Sequence, residues 1–168
     1  RGPGAPDGGA GVSRAGIGWD SHRLEAGRRL VLGGVEIPGR ELGLAGWSDA
    51  DVLTHAVIDA LLGAAGLGDI GRHFPDTDER WRDADSIELL RAVLGLLREA
   101  GFAPGNVDVT VACEAPKLAP YRKDMRSRLA EALGLDLAAV NVKFTTGERM
   151  GFVGRGEGIA ALAVATVF

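Results

Sequence analysis

Asp20 and His22 stand two residues apart in Ala15–Leu24, a stretch that reads as a first β-strand. Alternate residues of a strand point to one face, so the two side chains project together. His55 lies in a segment with apolar residues at helical spacing, Val52, Val57, Ile58, Leu61 and Leu62. Two imidazoles and a carboxylate make a zinc set of the catalytic kind, which leaves a fourth tetrahedral position for water or substrate. The chain has three histidines, and two of them fall in this set. The pair D-x-H is common, and on spacing alone the three side chains read first as unrelated polar residues. Asp59, one turn after His55, is a candidate to orient that imidazole, or else an exposed helix carboxylate. His73 reads as a solvated loop residue.

Three segments have the character of phosphate sites. Lys143–Glu148 (KFTTGE) ends a β-rich run with the hydroxyls of Thr145 and Thr146, followed by Glu148, a ligand type for a hard cation such as magnesium. Gly151–Gly158 (GFVGRGEG) joins a flexible backbone to Arg155, whose planar fork suits phosphate. Ala115-Pro116-Lys117 is the third. Each alone is non-specific, because a Gly-rich turn with one basic residue is usually only a turn.

These residues need elements to hold them. Arg29–Pro38 contains a short β-rich run that reads as a hairpin partner of the first strand, and Gly39–Asp49 reads as a Gly-rich loop. A helix is predicted over Asp51–Ala65, with Ser48 and Asp51 in the S-x-x-D arrangement of a capping box and Gly66 and Gly68 ending it. Asp69–Arg82 reads as a loop and Asp85–Ala100 as an amphipathic helix closed by Gly101. Val107–Cys113 alternates as a strand, Pro120–Leu133 is a third helix, and Val140–Thr146 and Gly158–Val167 are two more strands. The order predicts an α+β fold, a sheet covered by helices on one face. The last strand is apolar at nearly every position, which predicts burial on both faces. Its second face is then covered by another subunit, or the strand is central within one chain.

The 168 residues suit one domain, 14–168, preceded by a flexible tail or linker, 1–13, rich in Gly, Pro and Ala. A start at Arg1 leaves processing, trimming and a linker from an upstream domain as readings. A net charge of −4 without a basic run argues against nucleic acid as the main partner. The single cysteine allows no internal disulfide and suits a reducing compartment. No signal peptide or membrane-length apolar run is visible, so the expected location is the cytoplasm, or the plastid stroma in a plastid-bearing organism.

Taken in order, Gly18–Arg23 (GWDSHR), Leu32–Pro38 (LGGVEIP), Ser48–Asp78, Ala115–Lys117 (APK), Asn141–Glu148 (NVKFTTGE) and Gly151–Ala160 resemble the 2-C-methyl-D-erythritol 2,4-cyclodiphosphate synthase family, almost throughout 14–168. The resemblance implies a homotrimer of the non-mevalonate isoprenoid pathway, with active sites between neighbouring subunits. It implies zinc on Asp20, His22 and His55, and magnesium or manganese on Glu148. Ser48, Asp69, Ile70, Gly71, Phe74, Pro75, Asp76, Thr77 and Asp78 would bind the methylerythritol phosphate part of the substrate. Cys113, Pro116, Lys117, Leu118, Ala119 and Thr145 of a neighbour would hold cytidine diphosphate, and Thr146 would stabilise the transition state. Phe152, Arg155 and Glu157 would line a central channel able to take an isoprenoid diphosphate. A fusion to the preceding cytidylyltransferase of the pathway is compatible with the Gly/Pro-rich start.

The chain also departs from the family pattern. Trp47 stands where the family usually has a histidine that helps position phosphate, so the catalytic role of position 47 passes to a side chain that cannot ionise. Phe144 and Cys113 replace smaller residues, and Gly147 replaces a threonine. Two rival readings follow: a metal-dependent phosphohydrolase giving a linear diphosphate, and a catalytically weakened trimeric protein that binds isoprenoid diphosphate.

Overall fold

The computed structural model describes residues 13–168. The expected tail or linker, 1–13, lies outside the described residues except for Ser13. Strand β1 (Arg14–Ala26) is followed by the hairpin β2 (Val31–Leu32) and β3 (Val35–Glu36), then β4 (Leu42–Leu44) and helix α1 (Val52–Ala65). Next come α2 (Ile70–His73), α3 (Ser86–Glu99), β5 (Pro104–Ala112), α4 (Arg122–Leu133), β6 (Val140–Thr145), α5 (Gly151–Gly154) and β7 (Gly158–Val167). The main sheet has five strands in the order β4-β1-β7-β5-β6. Only β5 and β6 run parallel, with α4 in the crossover between them.

The close approach of α1 to β1 sets the geometry of the site. A Cβ on Gly16 would lie 2.0 Å from the Ala60 carbonyl oxygen, and one on Gly18 would lie 1.9 Å from that of Ala56. Two glycines on one face of β1 therefore meet a stripe of small residues, Ala56, Ala60 and Ala64, on α1. Asp20 and His22 continue the glycine face of the strand, so the same contact carries them to the helix at His55. On its other side α1 packs against α3. It is buried nearly all round, which explains why its apolar residues are not confined to one stripe.

Several expectations are corrected. Helix α1 is capped by Asp51 alone. Its carboxylate accepts from the Thr54 amide at 3.0 Å and hydroxyl at 2.8 Å, and from the amides of Gly33 at 2.9 Å and Gly34 at 2.7 Å. Ser48 turns instead toward His55. Gly66 ends the helix in the left-handed conformation, φ 73°, as expected. The Gly39–Asp49 loop contains β4, and the Asp69–Arg82 loop contains α2 and a 3₁₀ turn at Glu79–Trp81.

β7 is not buried on both faces in this chain. Ile159, Ala161, Ala163, Ala165 and Val167 face the helices, while Leu162 and Val164 are 41% and 44% exposed. They pair in register with Trp19 and Ile17 of β1, which are 57% and 67% exposed. The reason is the layering: the helices cover one face of the sheet, and among the described residues nothing crosses the other.

Candidate metal centre and substrate cleft

Asp20 divides its two oxygens. One accepts from the Ser21 amide at 2.8 Å. The other, Oδ2, lies 2.9 Å from His22 Nε2 and 3.0 Å from His55 Nδ1. The two ring nitrogens are 3.3 Å apart. A tetrahedral zinc with ligand distances of about 2.0–2.1 Å sets its donors about 3.3–3.4 Å from one another. The three donor atoms therefore fit zinc with little movement.

Each imidazole is oriented through its other nitrogen. His22 Nδ1 lies 2.7 Å from the Ala45 carbonyl, an acceptor only, so it carries the proton and Nε2 is free for a metal. His55 Nε2 lies 2.9 Å from Ser86 Oγ and 3.2 Å from Ser48 Oγ. Ser86 in turn donates its hydroxyl to Asp49, and its amide donates to the same carboxylate at 3.0 Å. With its hydroxyl proton on Asp49, Ser86 Oγ accepts from His55 Nε2–H, and Nδ1 is left as a ligand.

Asp59, expected as a candidate to orient His55, instead accepts from the Ile70 amide at 2.8 Å and fixes the start of α2. His73 is the last residue of α2 and is half-buried, with its Nε2 2.9 Å from the Leu67 carbonyl.

Burial opposes charge on Asp20, but its contacts with His22 and His55 outweigh that and hold it well below the usual carboxylate range. Burial likewise works to lower His22, and pairing with Asp20 overcomes it, so His22 is raised above its ordinary value. A divalent cation bound by the three side chains would take the place of the proton that His22 shares with Asp20.

The triad sits at one end of a cleft of about 430 Å³ lined by Trp47, Ser48, Ile70, Gly71, Phe74, Pro75, Asp76 and Trp81. Phe74 and Trp81 meet edge to face at 5.0 Å. Trp81 keeps its buried indole N–H unpartnered among the described residues. Trp47 donates its indole N–H to the Asp78 carbonyl at 3.1 Å, and the Arg82 guanidinium lies 4.2 Å over its ring. Its one donor is spent on holding the 74–82 segment. Asp69 caps α2 by accepting from the Arg72 amide at 3.0 Å, and Thr77 is exposed. Asp78 is bound by Arg80, whose guanidinium holds its carboxyl below the ordinary value.

A second pocket of about 200 Å³ is formed by Cys113, Glu114, Pro116, Lys117, Leu118, Ala119, Phe144, Thr145 and Thr146. It shares no lining residue with the cleft. Burial pushes the Cys113 thiol up to about 11, so it is a packing residue at neutral pH. Thr146 donates its hydroxyl to Glu148 at 2.8 Å, and the Gly147 amide donates to Glu114 at 3.0 Å. Glu148 is held at φ 50°, an uncommon conformation for a side-chain-bearing residue. Within one chain Glu148 does not join the Asp20–His22–His55 group. Phe152 is 37% exposed. The Arg155 fork is taken by Glu157 at 2.8 and 3.1 Å.

Comparison with known proteins decides the family. The YgbB family model matches residues 13–168. The chain belongs to the YgbB family. A "Bifunctional enzyme IspD/IspF" of Anaeromyxobacter sp. is 63% identical over 89% of this chain. The chain spans 38% of that relative's length. The 2-C-methyl-D-erythritol 2,4-cyclodiphosphate synthase of Symbiobacterium thermophilum is 60% identical over 90% of this chain and 96% of its own. A solved structure of a synthase of the same name, in a CDP-bound form, superposes with a TM-score of 0.84 at 39% identity, over 92% of this chain and 100% of its own.

In this YgbB chain the structure brings together the three sequence-predicted metal ligands, and it places Ile70, Gly71 and Phe74–Asp76 in one cleft with Trp47 and Ser48. It gathers Cys113, Pro116–Ala119, Thr145 and Thr146 in another. Sequence reasoning missed Asp49 and Ser86. The local signal at Ser86 is the Asp85-Ser86 pair before a helix, which reads as a cap, and Asp85 is that cap.

Proposed function

We propose that this chain converts 4-diphosphocytidyl-2-C-methyl-D-erythritol 2-phosphate to 2-C-methyl-D-erythritol 2,4-cyclodiphosphate and CMP, as a phosphorus–oxygen lyase of the non-mevalonate isoprenoid pathway. The observation that carries the reading is the convergence of Asp20, His22 and His55 at the end of the cleft in a member of this family. The name of the Symbiobacterium relative supports it.

An oxygen of the 2-phosphate bonds to the β-phosphorus. The bond from that phosphorus to the oxygen bridging to the α-phosphate breaks, and its electron pair leaves with CMP. The nucleophile is already ionised, so no strong base is needed, and the barrier lies in charge crowding and orientation. Zinc held by Asp20, His22 and His55, with magnesium or manganese at Glu148, would supply charge neutralisation on the phosphate oxygens. Ile70, Gly71 and Phe74–Asp78, with Ser48 and the cap residue Asp69, bind the methylerythritol phosphate. The Cys113–Ala119 pocket of a neighbour binds the cytidine diphosphate, with Lys117 and Thr145 near its phosphates and Thr146 donating to the transferring phosphoryl group. The CDP-bound relative supports that assignment.

The assembly is a homotrimer. The uncovered apolar face of Ile17, Trp19, Leu162 and Val164 supports it, since a soluble monomer seldom leaves such a patch in water. Phe152, Arg155 and Glu157 then line the central channel, where an isoprenoid diphosphate would displace Glu157 from Arg155. Among the described residues no helix is long and apolar enough to cross a membrane, and we place the reaction in the cytoplasm.

Phosphorus NMR of the protein with the substrate, zinc and magnesium tests the reading. A cyclic diphosphate with CMP supports it. A linear diphosphate with CMP replaces it with a phosphohydrolase. Unchanged substrate, from a folded and zinc-loaded sample, replaces it with the binding protein and points to Trp47.

A further inference from the structure

Arg28 lies outside the metal triad, the cleft and the second pocket, yet its guanidinium gathers the loop behind both imidazoles. Its Nε donates to the Leu44 carbonyl at 3.3 Å, and its Nη2 donates to those of Gly46 at 3.0 Å and Ser48 at 3.2 Å. Successive carbonyls of an extended backbone point in opposite directions. Pinning 44 and 46 to one side therefore sends the carbonyl of Ala45 to the other, and that carbonyl meets His22 Nδ1 at 2.7 Å. The same grip on Ser48 fixes the residue whose hydroxyl reaches His55 Nε2 at 3.2 Å.

The packing around the loop leaves no slack. A Cβ on Gly46 would lie 3.0 Å from His22 Cε1, and one on Gly43 would lie 2.2 Å from the carbonyl oxygens of both Arg28 and Arg29. The backbone at 28–29 is thus pressed onto β4, and the loop at 46 is pressed onto the imidazole. A nearby carboxylate, Asp83, is 3.9 Å from Nη1 and largely exposed, so the guanidinium is free to serve the carbonyls.

We propose that Arg28 is a positioning residue of the metal centre: by holding carbonyls 44, 46 and 48 it fixes the tautomer of His22 and the orientation of His55. This rests on the reading of Asp20, His22 and His55 as a metal site. A lysine at 28 could not replace it, because an ammonium lacks the planar fork that spans three acceptors.

The test compares wild type with Arg28→Met, Arg28→Lys and the control Arg29→Met. Arg29 is a neighbouring cation paired with exposed Glu36, so its removal changes the charge without touching the loop. The first readout is nitrogen-15 NMR of the His22 ring in metal-free protein, at an alkaline pH where the ring is neutral. Wild type holds one neutral tautomer, with the proton on Nδ1, and Arg28→Met gives a mixture. The second is Zn²⁺ affinity by competition with a chromophoric chelator. Arg28→Met is weaker by roughly tenfold to a hundredfold, Arg28→Lys falls between, and Arg29→Met matches wild type.

An unchanged tautomer with unchanged affinity in Arg28→Met overturns the proposal, as does an equal loss in Arg29→Met. If Arg28→Met does not fold, Arg28→Lys decides by the same two readouts. If wild type takes up no zinc, the metal reading of the function fails, and the tautomer comparison alone decides the role of Arg28.

Discussion

The hydroxyl of Ser86 stands 2.9 Å from His55 Nε2, on the side of the ring away from Asp20, and donates its own hydrogen bond to Asp49. A candidate metal-ligand histidine is thereby tied to a carboxylate across the start of α3. Removing such outer partners costs roughly tenfold to a hundredfold in metal affinity. Ser86→Ala falls in this range, with the loss moderated by Ser48, which also reaches Nε2. Asp49→Asn gives a similar loss, since the amide can turn its N–H₂ toward Ser86. Chelator competition measures both.

Gly18→Ala forces a methyl group onto the Ala56 carbonyl of the helix that bears His55. Backbone cannot give way as a flexible side chain can, so β1 and α1 must separate. The expected cost is about 1–3 kcal/mol or more, read as a lower urea midpoint. Zinc affinity falls with it, because Asp20 and His55 sit on the two elements being parted. Gly63→Ala on the same helix is the contrast, as its Cβ would meet only the Ile17 carbonyl at 3.8 Å; its stability stays near that of wild type.

The metal-free triad has a stability window in pH. Asp20 is depressed in the fold, so its contribution is present above its ordinary value of 3.8 and is lost as pH falls through the lower folded value. His22 is raised, so its contribution is full below its ordinary value of 6.5 and is lost as pH rises through the higher folded value. The triad therefore stabilises the metal-free protein most between those two ordinary values. Zinc replaces the proton on His22, so in the loaded protein stability no longer declines on the alkaline side. Urea midpoints from pH 2 to 9, with and without zinc, check both signs.

Trp47→Phe removes the indole donor to Asp78 while leaving a ring for Arg82 to stack on. The lost hydrogen bond is worth about 1 kcal/mol. Residues 75–82 then exchange amide hydrogens several-fold faster, and KM for the substrate rises, since Phe74, Pro75 and Asp76 form the cleft wall. Unchanged exchange in that segment would show that Trp47 does not latch it.

Much of this protein was legible in the order of its residues. The strand bearing Asp20 and His22, the helix bearing His55, the glycine that ends it and the amphipathic α3 all follow from patterns that act within a few residues. A two-residue spacing on a strand is enough to place Asp20 and His22 on one face, though not to show that they serve a metal. The tertiary structure decided the rest, because it turns on contacts between distant positions. Ser48 and Asp51 form a capping box only on paper; Asp51 is drawn to the amides of Gly33 and Gly34, and Ser48 to His55. Strand β4 has little pattern of its own and exists because β1 pairs with it. Ser86, and not Asp59, reaches the far nitrogen of His55, since which side chain does so depends on how α3 crosses α1. The apolar run of β7 fits a doubly buried strand and a one-faced strand alike, and only the position of the helices tells them apart.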